Sequence, residues 1–170
     1  MRLFIAIPFE PPVLDAMAAV QTSFKSSGVR GNYTVRENLH LTLAFLGEVR
    51  DPRPVIGVLE RVPLPESIIK IEKPELFRDI LVSSFHVSSS LREYVRNLRK
   101  ALDASGIDYD RKPFRPHVTL VRRASFPGQI PDVPLFPDEI PVHYVCLMRT
   151  DFIDRRPKYT SLYTKTAQSD

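Results

Sequence analysis

The feature that most constrains this chain is a repeated tetrapeptide pattern, His-x-Thr-Leu. It occurs at residues 40–43 and again at residues 117–120, so the two copies are 77 residues apart. Two of the four histidines belong to it, which chance would produce in roughly one of several thousand sequences of this composition. The spacing is close to half of the 170 residues. The repeat therefore predicts two related lobes, each of which presents one copy.

Each copy lies in a stretch typical of a β-strand, where alternate side chains point to opposite faces. His40 and Thr42 then share one face, and His117 and Thr119 share the corresponding face of the second copy. The opposite face is expected to be the core face, with Leu39, Leu41, Leu43, Phe45, Val118 and Leu120. If the two strands face each other across a cleft, two imidazoles and two hydroxyls meet in one pocket.

This set of side chains suits the breaking of a P–O bond by in-line displacement. That reaction needs a base on the attacking oxygen, an acid on the leaving oxygen and donors for the other phosphate oxygens. Two histidines can be the base and the acid, because a pKa of about 6.5 allows one to be neutral and the other protonated. Threonine hydroxyls can hold the phosphate, and no metal is required. Two other interpretations are structural histidines in ordinary strands and a metal held by His40 and His117, although neither has an acidic residue or Cys at ligand spacing.

Apolar periodicity and turn residues predict strands and helices in an order where the strands cluster. The predicted strands are 2–9, 38–47, 67–71, 80–88, 115–122, 142–148 and 159–166, with 67–71 and 80–88 paired as a hairpin around the polar segment 73–79. The predicted helices are 12–26, 53–62 and 91–104, and a Pro-rich loop covers 127–141. This order favours an α+β fold with a largely antiparallel sheet.

Helix ends carry their own signals. Asp51 is the expected cap of the second helix, and Ser90 with Glu93 forms a capping box on the third. Gly28 and Gly106 are the expected stops of the first and third helices.

Composition narrows the class of protein. With 170 residues and 43% hydrophobic residues, the chain is predicted to be one domain over residues 1–170. We expect no membrane association, because no apolar stretch approaches the roughly 18 residues that a membrane helix needs. The single Cys146 excludes a disulfide within the chain and favours a cytoplasmic location. The net charge of +4 arises in the second half, where residues 111–123 hold five Lys or Arg and no acid, which indicates a polyanionic partner or a solvated strand edge.

Other candidates are weaker. Strict alternation directs Arg123 to the face of His117 and Arg122 away from it, unless the strand twists or bulges. Phe45 could stack on a base, although alternation places it in the core. His86 and His143 are expected to be structural or surface residues. Cys146 is expected to be a buried apolar residue.

Three blocks of the sequence together resemble the two-histidine phosphoesterases: RLFIAIPF near the start, ENLHLTLAFLGEV around the first motif and PFRPHVTLVR around the second. Within that superfamily they are similar to the bacterial and archaeal RNA 2′,3′-cyclic phosphodiesterases, formerly called 2′-5′ RNA ligases. The resemblance implies a bilobal, duplicated α+β fold with both motifs lining a central cleft and helices outside. It covers nearly the whole chain but is less distinctive over residues 124–170, where residues 151–158 replace a different loop.

The resemblance also implies an activity, the hydrolysis of an RNA 2′,3′-cyclic phosphate end to a 2′-phosphate without metal or nucleotide cofactor. By that resemblance His117 is the base that activates water, and His40 is the acid that protonates the leaving 3′ oxygen. Thr42 and Thr119 hold the phosphate, and Arg122 matches an arginine that often follows the second motif. We therefore expect a monomeric cytoplasmic enzyme acting on RNA.

Three alternatives stay open. Ligation through a 2′-5′ bond is the same chemistry with an RNA 5′-hydroxyl in place of water. The substrate could instead be a small cyclic nucleotide or a 2′-5′ oligonucleotide. The chain could also be an RNA-binding module without catalytic activity, which would bind RNA in a salt-dependent way and release no product.

Overall fold

The computed structural model describes residues 1–134 and 139–168, which form two sheets and three α-helices. The first sheet contains β1 (Arg2–Pro8), β3 (His40–Glu48), β8 (Tyr144–Ile153) and β9 (Arg156–Thr166), in the order β3-β1-β8-β9. The second contains β2 (Arg30–Tyr33), β4 (Ser67–Phe77), β5 (Ile80–Val87), β6 (His117–Ser125) and β7 (Ile140–Val142), in the order β2-β6-β5-β4-β7. Neighbouring strands of both sheets pair antiparallel, as predicted for an α+β fold.

The helices α1 (Pro11–Ser26), α2 (Arg53–Arg61) and α3 (Ser89–Ala104) lie close to their predicted bounds. α1 packs against β6, α2 against β9 and α3 against β4. Gly28 and Gly106 have φ of +86° and +68°, so they end α1 and α3 in the left-handed conformation that costs glycine little. Both predicted stops are confirmed.

The predicted helix caps are wrong in detail. The N-cap of α3 is Ser88 rather than Ser90, and the two hydroxyls bond to each other at 3.1 Å, so no capping box forms. The N-cap of α2 is Pro52, which has no side-chain donor or acceptor to contribute. Asp51, one residue earlier, accepts the backbone N–H of Arg53 at 3.0 Å and so satisfies one of the free donors of that helix.

Several strands differ from their predicted extents. The predicted hairpin is confirmed, but β4 continues to Phe77 through the segment expected to be a polar separator. β2 and a 3₁₀ helix (Arg36–Asn38) were not predicted, because neither has an apolar alternation. The strand predicted at 142–148 is two strands that separate at His143. The last two residues of the predicted loop 127–141 belong to β7. Residues 135–138 of that loop lie outside the described residues.

The two motif strands bury one face each. Leu41 and Leu43 of β3 are 0% and 1% exposed, and Val118 and Leu120 of β6 are both 0% exposed. Full burial of such a side chain stabilises the fold by about 1.5–3 kcal/mol. A slip of one residue in either strand would place an imidazole in the core, so this burial fixes which face carries the histidines.

Both motif strands also have a β-bulge at the same position of the motif. In β3, Ile5 lies opposite Ala44 and Ala6 lies opposite Thr42, so Leu43 is an extra residue. In β6, the register given by Leu81↔Val121 and Val82↔Thr119 makes Leu120 the extra residue. A bulge inverts the alternation beyond it. Consequently, Phe45 and Arg122, which are each three positions after a motif threonine, lie on the same face as the motif histidine.

Candidate active site

His40 lies at the start of β3, and both of its ring nitrogens have hydrogen-bond partners. Nδ1 is 2.7 Å from the carbonyl oxygen of Asn38, the last residue of the 3₁₀ helix. Since a carbonyl only accepts, Nδ1 carries a hydrogen and donates it. Nε2 is 2.8 Å from the hydroxyl of Thr42. The hydrogen bond to Asn38 therefore fixes the ring so that Nε2 is the nitrogen available for chemistry.

His117 repeats this arrangement at the start of β6. Its Nδ1 is 2.6 Å from the carbonyl oxygen of Arg115, again two residues earlier in the chain. Nδ1 is again the donor, which leaves Nε2 for proton transfer. Thr119 is half-buried two residues further along the same strand. The two motifs thus hold their imidazoles through the same local hydrogen bond.

The electrostatics of His40 show that the two motifs converge. Burial lowers the pKa of His40 below its ordinary value of 6.5, and the hydrogen bond to Asn38 opposes this change. The nearby charges of His117 and Arg122 lower the pKa of His40 further. β3 and β6 also contact each other although they belong to different sheets. The sequence-predicted residues His40, His117 and Arg122 therefore lie in one cleft.

The orientation of Arg122 differs from strict alternation, and the bulge at Leu120 is the reason. Val121 becomes a core residue, with 0% exposure, and Arg122 turns to the face of Thr119. Arg123 follows with φ of +51°, where the strand departs from extended geometry. Arg122, not Arg123, therefore faces the cleft. The corresponding bulge at Leu43 of β3 moves Phe45 out of the core.

Phe45 is 55% exposed, so its predicted position in the core is wrong. It lies opposite Phe4 of β1, and Thr42 lies opposite Ala6, which shares a face with Phe4. Phe45 therefore stands on the same face as Thr42. Its ring centroid is 6.3 Å from that of Phe4. An exposed aromatic ring next to the first motif is available for stacking.

Two aromatic residues that were not predicted complete the wall around His40. The centroids of Phe4 and Tyr159 are 5.0 Å and 5.3 Å from that of the imidazole, and Tyr159 meets it edge-on at 88°. Burial raises the pKa of Tyr159, and the charges of Arg122 and Arg2 oppose the rise. No sequence signal marked Phe4, because β1 is buried on both faces, or Tyr159, because its strand pairing was unknown.

In both motif strands, the carbonyl oxygen of the bulge residue accepts a hydrogen bond from a helix side chain. The carbonyl oxygen of Leu120 accepts a hydrogen bond of 3.0 Å from the amide of Gln21 in α1. The carbonyl oxygen of Leu43 accepts one of 3.0 Å from the guanidinium of Arg99 in α3, which also donates to Lys112 at 2.9 Å. In this way Arg99 connects the first motif to the segment that precedes the second.

The remaining candidates are outside the two motifs. His86 is exposed in β5, two residues beyond Ser84, which lies opposite His117, so it shares the face of the second motif. His143 lies between β7 and β8 with Nε2 3.9 Å from the carboxylate of Glu10. Cys146 is 5% exposed, as expected for a buried apolar residue. Among residues 1–134 and 139–168, no group of three or more His, Cys, Asp or Glu could hold a metal ion. Over the same residues, no helix is both long and apolar enough to span a membrane.

Comparison with known proteins agrees with this geometry. An RNA 2′,3′-cyclic phosphodiesterase of Thermus thermophilus is 31% identical over 95% of this chain and 88% of its own length. The protein of the same name from Escherichia coli K12 is 31% identical over 95% of this chain and 93% of its own length. The chain belongs to this family. No family model matches the chain, so the membership rests on these relatives and on the structures.

Solved structures of similar proteins share the fold. The apo form of E. coli LigT superposes with a TM-score of 0.84 at 26% identity, covering 99% of this chain and 98% of that one. TT0787 of T. thermophilus superposes with a TM-score of 0.76 at 28% identity over 98% and 97% of the two chains. E. coli LigT has also been solved in complex with 3′-AMP, with the same TM-score of 0.84. The LigT-like α+β fold extends over the whole described chain.

Proposed function

We propose that this protein hydrolyses the 2′,3′-cyclic phosphate at the end of an RNA to a 2′-phosphate. The observation that carries the proposal is the pair of matched imidazoles, each fixed by a hydrogen bond from Nδ1 to a backbone carbonyl. Membership in a family of RNA 2′,3′-cyclic phosphodiesterases supports the same reaction. An acid–base pair of this kind is needed for catalysis but not for mere binding, which argues against a module without activity.

In the proposed step, Nε2 of His117 accepts a proton from water as the water oxygen attacks phosphorus. The bond from phosphorus to the 3′ oxygen breaks, and Nε2 of His40 gives its proton to that oxygen. The products are a 2′-phosphate and a 3′-hydroxyl, and the two histidines have exchanged protonation states. A proton returned through solvent resets the site. Each histidine acts once as base or acid, as in-line displacement requires.

The same geometry provides for the charge of the phosphodiester. The Thr42 and Thr119 hydroxyls and the Arg122 guanidinium are donors on the cleft faces of the two motif strands. In the free protein, the hydroxyl of Thr42 lies 2.8 Å from Nε2 of His40. A bound phosphate oxygen would replace this contact by accepting a hydrogen bond from the hydroxyl or from Nε2. The negative charge of the substrate opposes the lowering of the pKa of His40 and favours the protonated form that the acid needs.

Phe45 supplies the nucleoside contact in this proposal. Its exposed ring stands on the face of Thr42, close to where the leaving 3′ oxygen of the ribose would lie. Stacking of a base on an aromatic ring is tolerant of sequence, because every base has a π-face. We therefore place the base of the terminal nucleotide on Phe45, which is consistent with an enzyme that accepts any RNA end.

We further propose that the protein is a monomer of two related lobes in the cytoplasm, with neither metal nor cofactor. Each lobe contributes one motif strand with a bulge at the motif leucine. The carbonyl oxygen of that leucine accepts a hydrogen bond from a helix side chain. This internal correspondence supports a duplication over residues 1–170. The single Cys146 supports a reducing compartment.

The test is incubation of the purified protein, with EDTA, on an RNA oligonucleotide that ends in a 2′,3′-cyclic phosphate. The expected product is a 2′-phosphate, and His40→Ala and His117→Ala are each expected to abolish turnover while circular dichroism shows a folded chain. His143→Ala, at an exposed histidine between β7 and β8, is the matched control and should retain full activity. A 3′-phosphate would reverse the assigned leaving group, and full activity of either motif variant would refute the mechanism.

A further inference from the structure

A second exposed aromatic ring stands on the other side of the cleft, at the end of β4. Phe77 is 44% exposed, although a phenyl ring gains by leaving water. The guanidinium carbon of Arg115 lies 4.9 Å from its ring centroid, and that of Arg78 lies 5.8 Å from it. We call these three residues the Phe77 platform. It combines a flat apolar surface with two positive charges.

The strand register places the ring of Phe77 on the face that carries the second motif. Glu75 lies opposite Val82, and Val82 lies opposite Thr119, so these three side chains share one face of the sheet. Phe77 is two residues beyond Glu75 and therefore stands on the same face. Arg115, which contacts the ring, is two residues before His117. The platform is thus continuous with the His117 side of the cleft.

The platform has features of a binding surface rather than a structural cluster. Arg78 is the first residue of the two-residue turn between β4 and β5, and its φ of +58° is the left-handed conformation that such hairpin turns use. The nearby carboxylate of Glu75 bonds to the hydroxyl of Ser84 at 2.8 Å. An exposed aromatic ring flanked by arginines has the composition of a site for a nucleic acid base and its phosphate.

We propose that the Phe77 platform binds the nucleoside that carries a 5′ oxygen at the reaction centre, in the making and breaking of 2′-5′ RNA bonds. The inference rests on the proposed function, which places the leaving 3′ oxygen on the His40 side. In-line displacement puts the entering oxygen opposite the leaving one, on the His117 side. When that oxygen belongs to RNA rather than to water, its nucleoside lies toward the platform.

The reaction balances in both directions. In ligation, the 5′-hydroxyl gives its proton to His117 and its oxygen bonds to phosphorus, while the bond to the 3′ oxygen breaks and His40 protonates that oxygen. The product has one 2′-5′ phosphodiester and one free 3′-hydroxyl. In cleavage, His40 accepts the proton of the 3′-hydroxyl, which attacks phosphorus, and His117 protonates the departing 5′ oxygen. The products are a 2′,3′-cyclic phosphate and a 5′-hydroxyl.

Three substrates test the inference on the intact protein. The first is a nucleoside 2′,3′-cyclic phosphate, the second is an RNA octamer with a cyclic phosphate end, and the third is a 2′-5′-linked dinucleoside monophosphate. We expect Phe77→Ala to lower kcat/KM for the third by about tenfold, the effect of one base stacked on an aromatic ring. The first two are hydrolysed by water and should change by less than about twofold. Phe77→Trp should retain activity on all three substrates.

The matched control is Leu76→Ala, because Leu76 is 46% exposed on the opposite face of the same strand. Equal activity of Phe77→Ala and Leu76→Ala on the 2′-5′ substrate would overturn the inference. So would a loss on the octamer but not on the mononucleotide, since the platform would then hold the upstream nucleoside. Wild-type protein that hydrolyses the first two substrates without cleaving the third would also refute it while the proposed function stands. Failure on all three substrates would refute both.

Discussion

Gln21→Met is expected to destabilise the protein and to slow its turnover, although Gln21 lies in a helix outside the cleft. The side chain is 6% exposed, and its amide donates to the carbonyl oxygens of Thr34 at 2.8 Å and Leu120 at 3.0 Å. Methionine has a similar volume and no donor. The change therefore removes two hydrogen bonds from a buried site without creating a large cavity.

The size of the destabilisation depends on which hydrogen bonds the carbonyl oxygens of Leu120 and Thr34 keep in the variant. The Leu120 oxygen keeps the backbone N–H of Thr34 at 3.1 Å, so its loss is partial. The Thr34 oxygen, part-buried at its contact with Gln21, loses this donor. At about 1 kcal/mol for the Thr34 bond and about 0.5 kcal/mol for the Leu120 bond, the free energy of unfolding should fall by about 1.5 kcal/mol. With a urea m-value of about 2 kcal/mol/M, the unfolding midpoint moves down by about 0.75 M.

The kinetic consequence comes from the position of the lost bond. Leu120 is the bulge residue of the second motif, and the bulge sets the faces of Thr119 and Arg122. Small displacements of catalytic groups are costly, so we expect kcat on a cyclic-phosphate RNA to fall by about tenfold, with a smaller change in KM. Both measurements are made well below the unfolding transition of the variant.

Thr22→Ala is the matched control, because Thr22 is exposed on the same helix and bonds only to the Ala18 carbonyl of its own helix. A Gln21→Met protein with the same urea midpoint as Thr22→Ala would show that the buried amide does not stabilise the fold. Lower stability with unchanged kcat would refute the link between the helix and the motif.

The remaining predictions concern the cleft itself. Arg122→Gln should raise the pKa of His40 in an NMR titration of the free protein, because a positive charge that lowers it is lost; an unchanged or lower pKa would contradict the placement of Arg122. Since the pKa of His40 is lowered in the free protein and a phosphodiester anion raises it, kcat/KM should decline with rising pH at a lower pH than kcat does. Coincident declines in the two pH profiles would argue against His40 as the acid. Phe45→Ala should raise KM for a cyclic-phosphate RNA by about tenfold with little change in kcat, whereas Phe45→Trp should behave as wild type, and equal KM values for the two variants would exclude stacking at this position.

The sequence was sufficient for the motif residues because each motif combines two independent signals. Period-2 alternation separates His40 and Thr42 from buried Leu41, and the repeat 77 residues later supplies the same separation around Val118. Apolar alternation also predicted most strands and all three α-helices within a few residues. These features depend on neighbours in the chain, which is why one sequence reveals them.

Beyond the motif threonines, alternation fails for a physical reason. A bulge adds one residue to a strand relative to its partner, and that relation depends on the partner strand rather than on the local sequence. Alternation therefore predicts Phe45 in the core and Arg122 away from the cleft, whereas the structure puts both on the histidine face. Phe4 and Tyr159 were missed because their position beside His40 depends on which strands are neighbours in the first sheet.

The two histidines differ in environment, and this difference supports the assignment of their roles. Both have the same hydrogen bond from Nδ1, but His40 is half-buried between Phe4 and Tyr159 whereas His117 is exposed. Water, or the 5′-hydroxyl of a second RNA, reaches an exposed imidazole, which suits the base. An imidazolium with a lowered pKa is the stronger acid and transfers its proton more readily to a leaving oxygen, provided that bound phosphate keeps it protonated until then. We therefore expect the aromatic wall around His40 to have a chemical consequence in the proposed reaction, because it distinguishes the proposed proton donor from an otherwise equivalent imidazole.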